Sequence, residues 1–407
     1  MMRLTIILFI LLITLSVIAQ TGNIWIKKSS FGGDKRERCV SFSIGNKGYF
    51  ATGQDTSDTV KNDLWEYDPV TDSWTQKANL SGSVRRNAIS FTIDNYAYVG
   101  LGADSAIAPN GNILSDMWKY SPVTNSWVQL SDYPGGNGLG IYFATAFSIN
   151  GKGYVCCGKK GPNDYTDQLW EYKPYNDQWV IREPFPGGVR YQLTSFTVNN
   201  KAYIGLGTDN EAYRKDMWEY DPAKDTWLQK SDFPGYERAG VSAFFINDKG
   251  YICLGADGGF KDDLWEYNFT TDSWTLRDNY PGDGRKYAGS FVIDNKAYVG
   301  TGKGYSGLRR SFYVYIPYEA LLVEDLSNDI QFNVFPNPLI DKSVIILGNG
   351  ASKIKKISLY NINGIKVWGT NINNSENIIL KNEFSQGVYQ LIAYGDDIVW
   401  IKKIIIL

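Results

Sequence analysis

One twelve-residue phrase, Asp63-Leu-Trp-Glu-Tyr-Asp-Pro-Val-Thr-Asp-Ser-Trp74, constrains this chain more than any other feature. It returns at 116–127, 168–179, 216–227 and 263–274, with a worn copy beginning near Ser311, and each full copy sets its second Trp nine positions after the first. Units of 47 to 53 residues are single supersecondary modules that must stack on neighbours to bury an apolar face. A second spacing is equally rigid: Phe42, Phe91, Phe147, Phe196, Phe244 and Phe291 each precede a Tyr by seven positions. These anchors divide each unit into four strands. Strand a ends near the Phe, strand b is Tyr-Val-Gly-like, strand c carries Leu-Trp-Glu-Tyr, and strand d holds the second Trp. Between c and d, Asp-Pro-x-Thr-Asp supplies a hairpin turn, because Pro fixes its own φ while Asp and Thr bond to nearby backbone.

The expected architecture is all-β, a six-bladed propeller over residues 20–318. Trp25 lies 11 residues before Arg36, as Trp74 lies 11 before Arg85, so Trp25 belongs to a strand d whose a, b and c are missing upstream. Residues 287–316 supply those three strands, and pairing them with 24–28 completes the sixth blade and removes an open sheet edge. The Arg opening strand a, the glycine-ended strand b, the Tyr of strand c and the Trp of strand d resemble the kelch repeat across residues 25–316. One departure stands out. Where that family often has paired glycines after strand b, this chain has Leu101-Gly102, Cys157-Gly158, Leu206-Gly207 and Leu254-Gly255.

The two ends of the chain read as addresses. Arg3 is followed by an apolar run from Leu4 to Ala19, too short to span a bilayer comfortably, with Val17 and Ala19 ahead of a polar stretch. Residues 1–19 are therefore expected to be a cleaved signal peptide, with no membrane span left in the mature chain. Residues 319–330 read as a linker. From 331 to 407 strand-like stretches at 343–347, 354–360, 365–368, 377–380, 387–394 and 398–406 predict a small β-sandwich. Phe335-Pro-Asn-Pro338, Ile357-Ser-Leu-Tyr-Asn-Ile-Asn-Gly364, Gly387-Val-Tyr389 and Lys402-Lys-Ile-Ile-Ile-Leu407 resemble the carboxy-terminal sorting domain of the type 9 secretion system of Bacteroidetes. That resemblance implies handling by the type 9 machinery and a secreted or outer-membrane cell-surface location.

Chemistry is constrained by absence. There is no His in 407 residues, which excludes imidazole-held zinc, Ser-His-Asp triads and Cys-His pairs. No metal or other cofactor is expected. A net charge of -2 with scattered Lys and Arg argues against nucleic acid as a partner. Cys156 and Cys253 share a column with Ala51, Gly100, Gly205 and Gly300 that takes only small side chains, so both are expected as free thiols. Cys156 and Cys157, adjacent on a strand, are expected to point to opposite faces.

A four-strand blade puts its b–c and d–a loops on one face and its a–b and c–d turns on the other. All length variation falls on the first face, most of it in the neighbouring segments 103–115 and 131–140. That face also receives an Arg column, Arg36, Arg85, Arg190, Arg238 and Arg285, broken at Ile141. The column can be read as an anion-selective channel mouth for a carboxylated or sulfated glycan. A rival reading pairs it with Asp63, Asp116, Asp216 and Asp263, within or between blades. The ligand-binding candidates are Arg85, Tyr133, Asn137 and Arg190, beside the long loops. The expected function is that of a monomeric extracellular binding module for a glycan or surface protein. The alternative is a carbohydrate-modifying enzyme using a channel-mouth carboxylate and Arg, as in the kelch-type sialic-acid epimerases, with no catalytic residue assigned.

Overall fold

The computed structural model describes residues 24–105, 112–209 and 211–317, and in the tail 332–335, 342–347, 354–361, 366–372, 378–381, 383–394 and 399–406. The expected signal peptide and linker, and the middle of the loop 103–115, lie outside the described residues. The described strands fall into two compact units, one holding residues 24–316 and the other 332–406. Among the described residues there is no α-helix, only a single 3-10 turn at Gly136–Gly138.

The first unit is a six-bladed propeller, each blade a four-stranded antiparallel sheet. Blade 1 illustrates the pattern with Val40–Ile44 (a), Lys47–Ala51 (b), Leu64–Asp68 (c) and Ser73–Lys77 (d). Strand a alternates buried and half-buried residues, strand b is buried almost throughout, and strand d is mostly exposed, so burial is greatest at strand b and falls away toward the outer edge. Blades 2 to 5 repeat this with strands a at Ile89–Ile93, Thr145–Ile149, Thr194–Val198 and Ser242–Ile246. The innermost strands pack side by side round a closed ring, with blade 6 against blade 1.

The seven-residue Phe-to-Tyr spacing is the pairing distance across the a–b hairpin. Phe42 sits opposite Tyr49, their rings stacked 5.1 Å apart, and Phe91 and Tyr98 repeat the contact at 5.0 Å. The Phe also reaches into the next blade, over a strand-b glycine. A Cβ on Gly48 would lie 2.0 Å from Phe291, and one on Gly153 2.3 Å from Phe91.

The twelve-residue phrase wires blades together at their outer ends. Tyr67 Oη donates to Asp72 at 2.6 Å, and Asp72 accepts from the backbone N–H of Ser29 at the end of the preceding strand d. Trp74 Nε1 donates to the carbonyl of Ser29 at 3.4 Å. Equivalent bonds join Trp127 to Ala78, Trp179 to Ser131, Trp227 to Glu183 and Trp274 to Ser231. Because turn length sets where the Asp and Trp land, the c–d turn cannot vary.

Closure follows the sequence reading. Ile24–Lys28 pairs antiparallel with Phe312–Ile316, Trp25 opposite Tyr315, and completes the blade begun by Gly289–Ile293 and Lys296–Gly300. Trp25 Nε1 donates to the carbonyl of Asp278 at 3.0 Å, the bond its counterparts make elsewhere.

The second unit is a small sandwich. One sheet holds Phe332–Phe335, Lys342–Leu347 and Ile378–Lys381; the other holds Lys366–Asn371, Lys356–Asn361, Gly387–Tyr394 and Val399–Ile406. Val334, Ile345 and Leu380 from the first sheet meet Ile357, Leu359, Leu391 and Ile404 from the second in one core. The strand Phe332–Phe335 was not expected, since it is short and runs directly into Pro336.

Deleting Ile24–Lys28 will unpair Phe312–Ile316 and expose a sheet edge. Thermal unfolding of the deleted protein is expected to start at least ~5 °C lower, roughly the effect of losing 2 kcal/mol in a domain of this size. An unchanged midpoint would show that this strand does not hold the ring closed.

Candidate binding site at the channel mouth

The Arg column is built into the walls. Arg36, Arg85, Arg190, Arg238 and Arg285 are all at most 3% exposed. Arg36 forms a two-pronged pair with Asp63 at 2.6 and 2.7 Å, and Arg85 one with Asp116 at 2.9 and 2.7 Å. Arg190 meets Asp216, and Arg238 meets Asp263. All four pairs lie within a blade. Each Arg also donates Nη1 to the carbonyl 16 residues on, and four of the five sit over an aromatic ring five residues upstream: Phe31, Phe185, Phe233 and Tyr280. Each Asp additionally accepts from the indole N–H of the phrase's first Trp, as Asp63 does from Trp65 at 2.8 Å. Where the Asp is missing the wiring adapts. Arg285 bonds Ser311 Oγ at 3.0 Å, and in blade 3 Ile141 accompanies Gln168.

These contacts correct the candidate list. Arg85 and Arg190 are spent inside their own blades and present no guanidinium to a ligand. Tyr133 is fully buried between Trp170 and Trp179, so it offers no platform. It occupies the aromatic column of Phe31 and Phe185, displaced from Ile141 by the three-residue insertion. Asn137 is exposed, with φ +59, on the 3-10 turn. The structure does not bring these four residues together.

What reaches the axis is the pair of positions just after the Arg column. The second of them takes a left-handed φ in every blade: Arg38, Asn87, Phe143, Gln192, Gly240 and Tyr287 lie between +54° and +64°. That conformation turns the chain into strand a, and its backbone joins blade to blade. Asn87 N–H donates to Arg38 O at 3.3 Å, Phe143 to Asn87 at 3.1 Å, and Gln192 to Phe143 at 2.9 Å. The side chains meet across the channel. The Arg38 guanidinium lies 5.5 Å from the Phe143 ring and 5.0 Å from the Tyr287 ring, three residues from three different blades.

The first position pairs with the b–c hairpins that stand around the mouth, through bridges of Arg86 with Ala103, Tyr142 with Lys159, Tyr191 with Thr208 and Ala239 with Ala256. Lys159 lies 4.6 Å from the Tyr191 ring, 5.0 Å from Tyr165 and 5.9 Å from Tyr142. Burial pulls the Lys159 and Lys286 ammonium groups below their ordinary range, and lowers the Arg86 guanidinium, with the Arg38 charge adding to the effect. A cavity of about 250 Å³ opens over blades 4 to 6, walled by Tyr191, Gln192, Thr208, Tyr213, Lys286 and Tyr287.

On the blade 1 and 2 side the mouth holds unsatisfied groups. Glu37, Gln54 and Asn87 are 2%, 7% and 6% exposed, yet Glu37 Oε2, Gln54 Oε1 and both side-chain amide atoms of Asn87 have no hydrogen-bond partner among the described residues, nor does Arg38 Nε. A buried polar atom left unpaired costs about 1–3 kcal/mol, so each of these atoms calls for a partner such as water. Among the described residues no group of three or more Cys, Asp or Glu is placed to hold a metal ion.

Residues 333–407 match the family described as Secretion system C-terminal sorting domain, which marks proteins delivered to the cell surface or extracellular space. The solved structure of YjhT superposes with a TM-score of 0.59 over 70% of this chain and 95% of its own, at 19% identity, and that likeness speaks to the propeller fold. No curated protein matches the sequence.

Removing one partner of a buried pair leaves the other charge uncompensated. Asp263→Ala is expected to destabilise the protein by ~3–5 kcal/mol in denaturant unfolding. Burial raises the Asp63, Asp116 and Asp263 carboxyls, but the Arg bonds and charge and the Trp N–H more than reverse this, so each is held below the ordinary carboxylate value. Their contribution is complete above the unfolded value of about 3.9 and is lost as pH falls through the lower folded value. Stability should therefore hold across neutral pH and fall away below about pH 4. Loss of stability as pH rises from 5 to 7 would contradict the sign.

Proposed function

We propose that this secreted propeller is a binding module for a carboxylated or sulfated glycan, received at the channel mouth on the variable-loop face. The observation that carries this reading is the cluster of buried atoms without a hydrogen-bond partner on Glu37, Gln54 and Asn87, beside the Arg38 cation and the Phe143 and Tyr287 rings. Sugars match that mixture. Ring faces rest on Tyr and Phe, hydroxyls exchange hydrogen bonds with amide and carboxylate groups, and an acidic substituent answers Arg38, Arg86, Lys159 and Lys286. At the paired positions after the Arg column three cations, Arg38, Arg86 and Lys286, stand against one carboxylate, Glu37, which favours an acidic glycan over a neutral one, although Glu211 on a b–c hairpin also lines the cavity. This reading keeps the face that the loop lengths suggest and moves the site to the axis, away from 103–115 and 131–140.

A second reading rests on one group. Glu37 keeps an unbonded oxygen near the Arg38 guanidinium, whose Nε lies 3.5 Å from its other oxygen. A carboxylate so placed is equipped for acid–base work on a bound sugar. Glu37→Gln with turnover assays on the retained glycan separates the two readings, since a binding module turns nothing over in either form.

The purified protein should be screened on a glycan array that includes carboxylated, sulfated and neutral members. Retention of acidic glycans, weakened about 10- to 100-fold by Arg38→Ala and by Lys286→Ala without loss of fold, is the expected outcome, as for the loss of a hydrogen bond to a charged group. Binding unaffected by both substitutions would move recognition off the axis, and retention of proteins alone would replace the glycan with a protein partner.

A further inference from the structure

We infer that Cys156 and Cys157 are joined in the exported protein by a disulfide between adjacent residues. Regular strand alternation would place their side chains on opposite faces, which is what the sequence leads one to expect. The backbone does otherwise. Cys157 has φ +61, the pairing of strand b with strand c shifts register between Cys156 and Gly158, and the two sulfurs come to 3.4 Å. Both residues are fully buried in the closed blade, so a bond made between them there is shielded from exchange with other thiols.

The left-handed residue belongs to the repeat. Thr52, Leu101, Leu206, Leu254 and Thr301 occupy the same position with φ between +58° and +66°. In those five blades its carbonyl accepts Nη1 of the buried Arg, as Leu254 O does from Arg238 at 3.1 Å and Thr301 O from Arg285 at 3.0 Å. Blade 3 alone has Ile141 in place of the Arg, and Ile has no donor. Blade 3 is also the blade with Cys at both positions. The covalent link takes over the task of the lost guanidinium, fixing the turn that leads from strand b to the mouth. Directly after it, Gly158 N–H donates to Arg190 O at 2.8 Å and Lys159 exchanges backbone bonds with Tyr142 at 2.8 and 3.0 Å. The turn thus sets where Lys159 stands among its three tyrosines.

The chemistry is a thiol–disulfide exchange with a protein or small-molecule disulfide oxidant outside the cytoplasm. Two S–H bonds break and one S–S bond forms. The two electrons reduce the oxidant's disulfide to two thiols, which take up the two protons. Burial first, and the contact with the Cys156 sulfur second, push the Cys157 thiol well above its ordinary range. The folded blade therefore holds little thiolate, and closure occurs while the chain is still folding.

The test uses full-length protein recovered after export, denatured and alkylated without reductant, then digested with trypsin. The peptide Gly153–Lys159 should appear lighter by the mass of two hydrogens and carry no alkyl group, and should take two after reduction. Cys39 and Cys253 should be alkylated before reduction and serve as internal controls. In Cys157→Ala the partner Cys156 should become alkylatable without reductant. Two alkyl groups on Gly153–Lys159 before reduction, or a bridge from either residue to Cys39 or Cys253, would overturn the proposal. The wild-type peptide decides the matter even where the variant folds poorly.

Discussion

Everything in the propeller hangs on a charge that has been taken out of water. In four blades an Arg with essentially no exposure meets an Asp near the start of strand c, and the same Arg holds the carbonyl at the end of strand b. A buried guanidinium is tolerable only when its charge is paired and most of its donors are occupied, so strand a, the end of strand b and the start of strand c must converge on one point. That convergence fixes the top of each blade, as the Tyr, Asp and Trp of the phrase fix the outer end. Between them they leave few positions free to vary, and those are the ones that face the axis.

The division of labour explains why so much of the fold is readable in the sequence. Trp25 could be assigned to a blade 290 residues away in the chain because the distance from Trp to Arg is set by one inter-blade bond and one turn. The Phe and Tyr columns are cross-strand partners, and the Arg and Asp columns are an ion pair, so both survive as fixed spacings. Even Ile141 is intelligible beside Gln168, since the loss of the cation goes with the loss of the anion.

The proposed site was harder to read for the same reason. Glu37 and Arg38, Arg86 and Asn87, Tyr142 and Phe143, Tyr191 and Gln192, and Lys286 and Tyr287 share no chemistry from blade to blade, so no column announces them. Their signal is the variability itself: two free positions wedged between a buried Arg and a small or apolar residue at the narrow end of the repeat. Tyr133 was misread in the opposite direction, because three inserted residues hide its place in the aromatic column. The four cysteines are free thiols in the structure, and only the expectation that Cys156 and Cys157 point to opposite faces fails, because it assumed an unbroken strand where the repeat carries a left-handed residue in every blade.

Recognition at this mouth would use side chains that take no part in the Arg–Asp and Tyr–Asp–Trp wiring, leaving the walls rigid while the contents change. Hydrogen exchange of the protein with and without the glycan it retains tests that most directly. The account predicts slowed exchange in the segments 37–39, 86–88, 142–144, 191–193 and 286–288 and in the b–c hairpins beside them, with the c–d turns unchanged. Protection confined to 103–115 and 131–140, or found on the c–d turns of the opposite face, would contradict it.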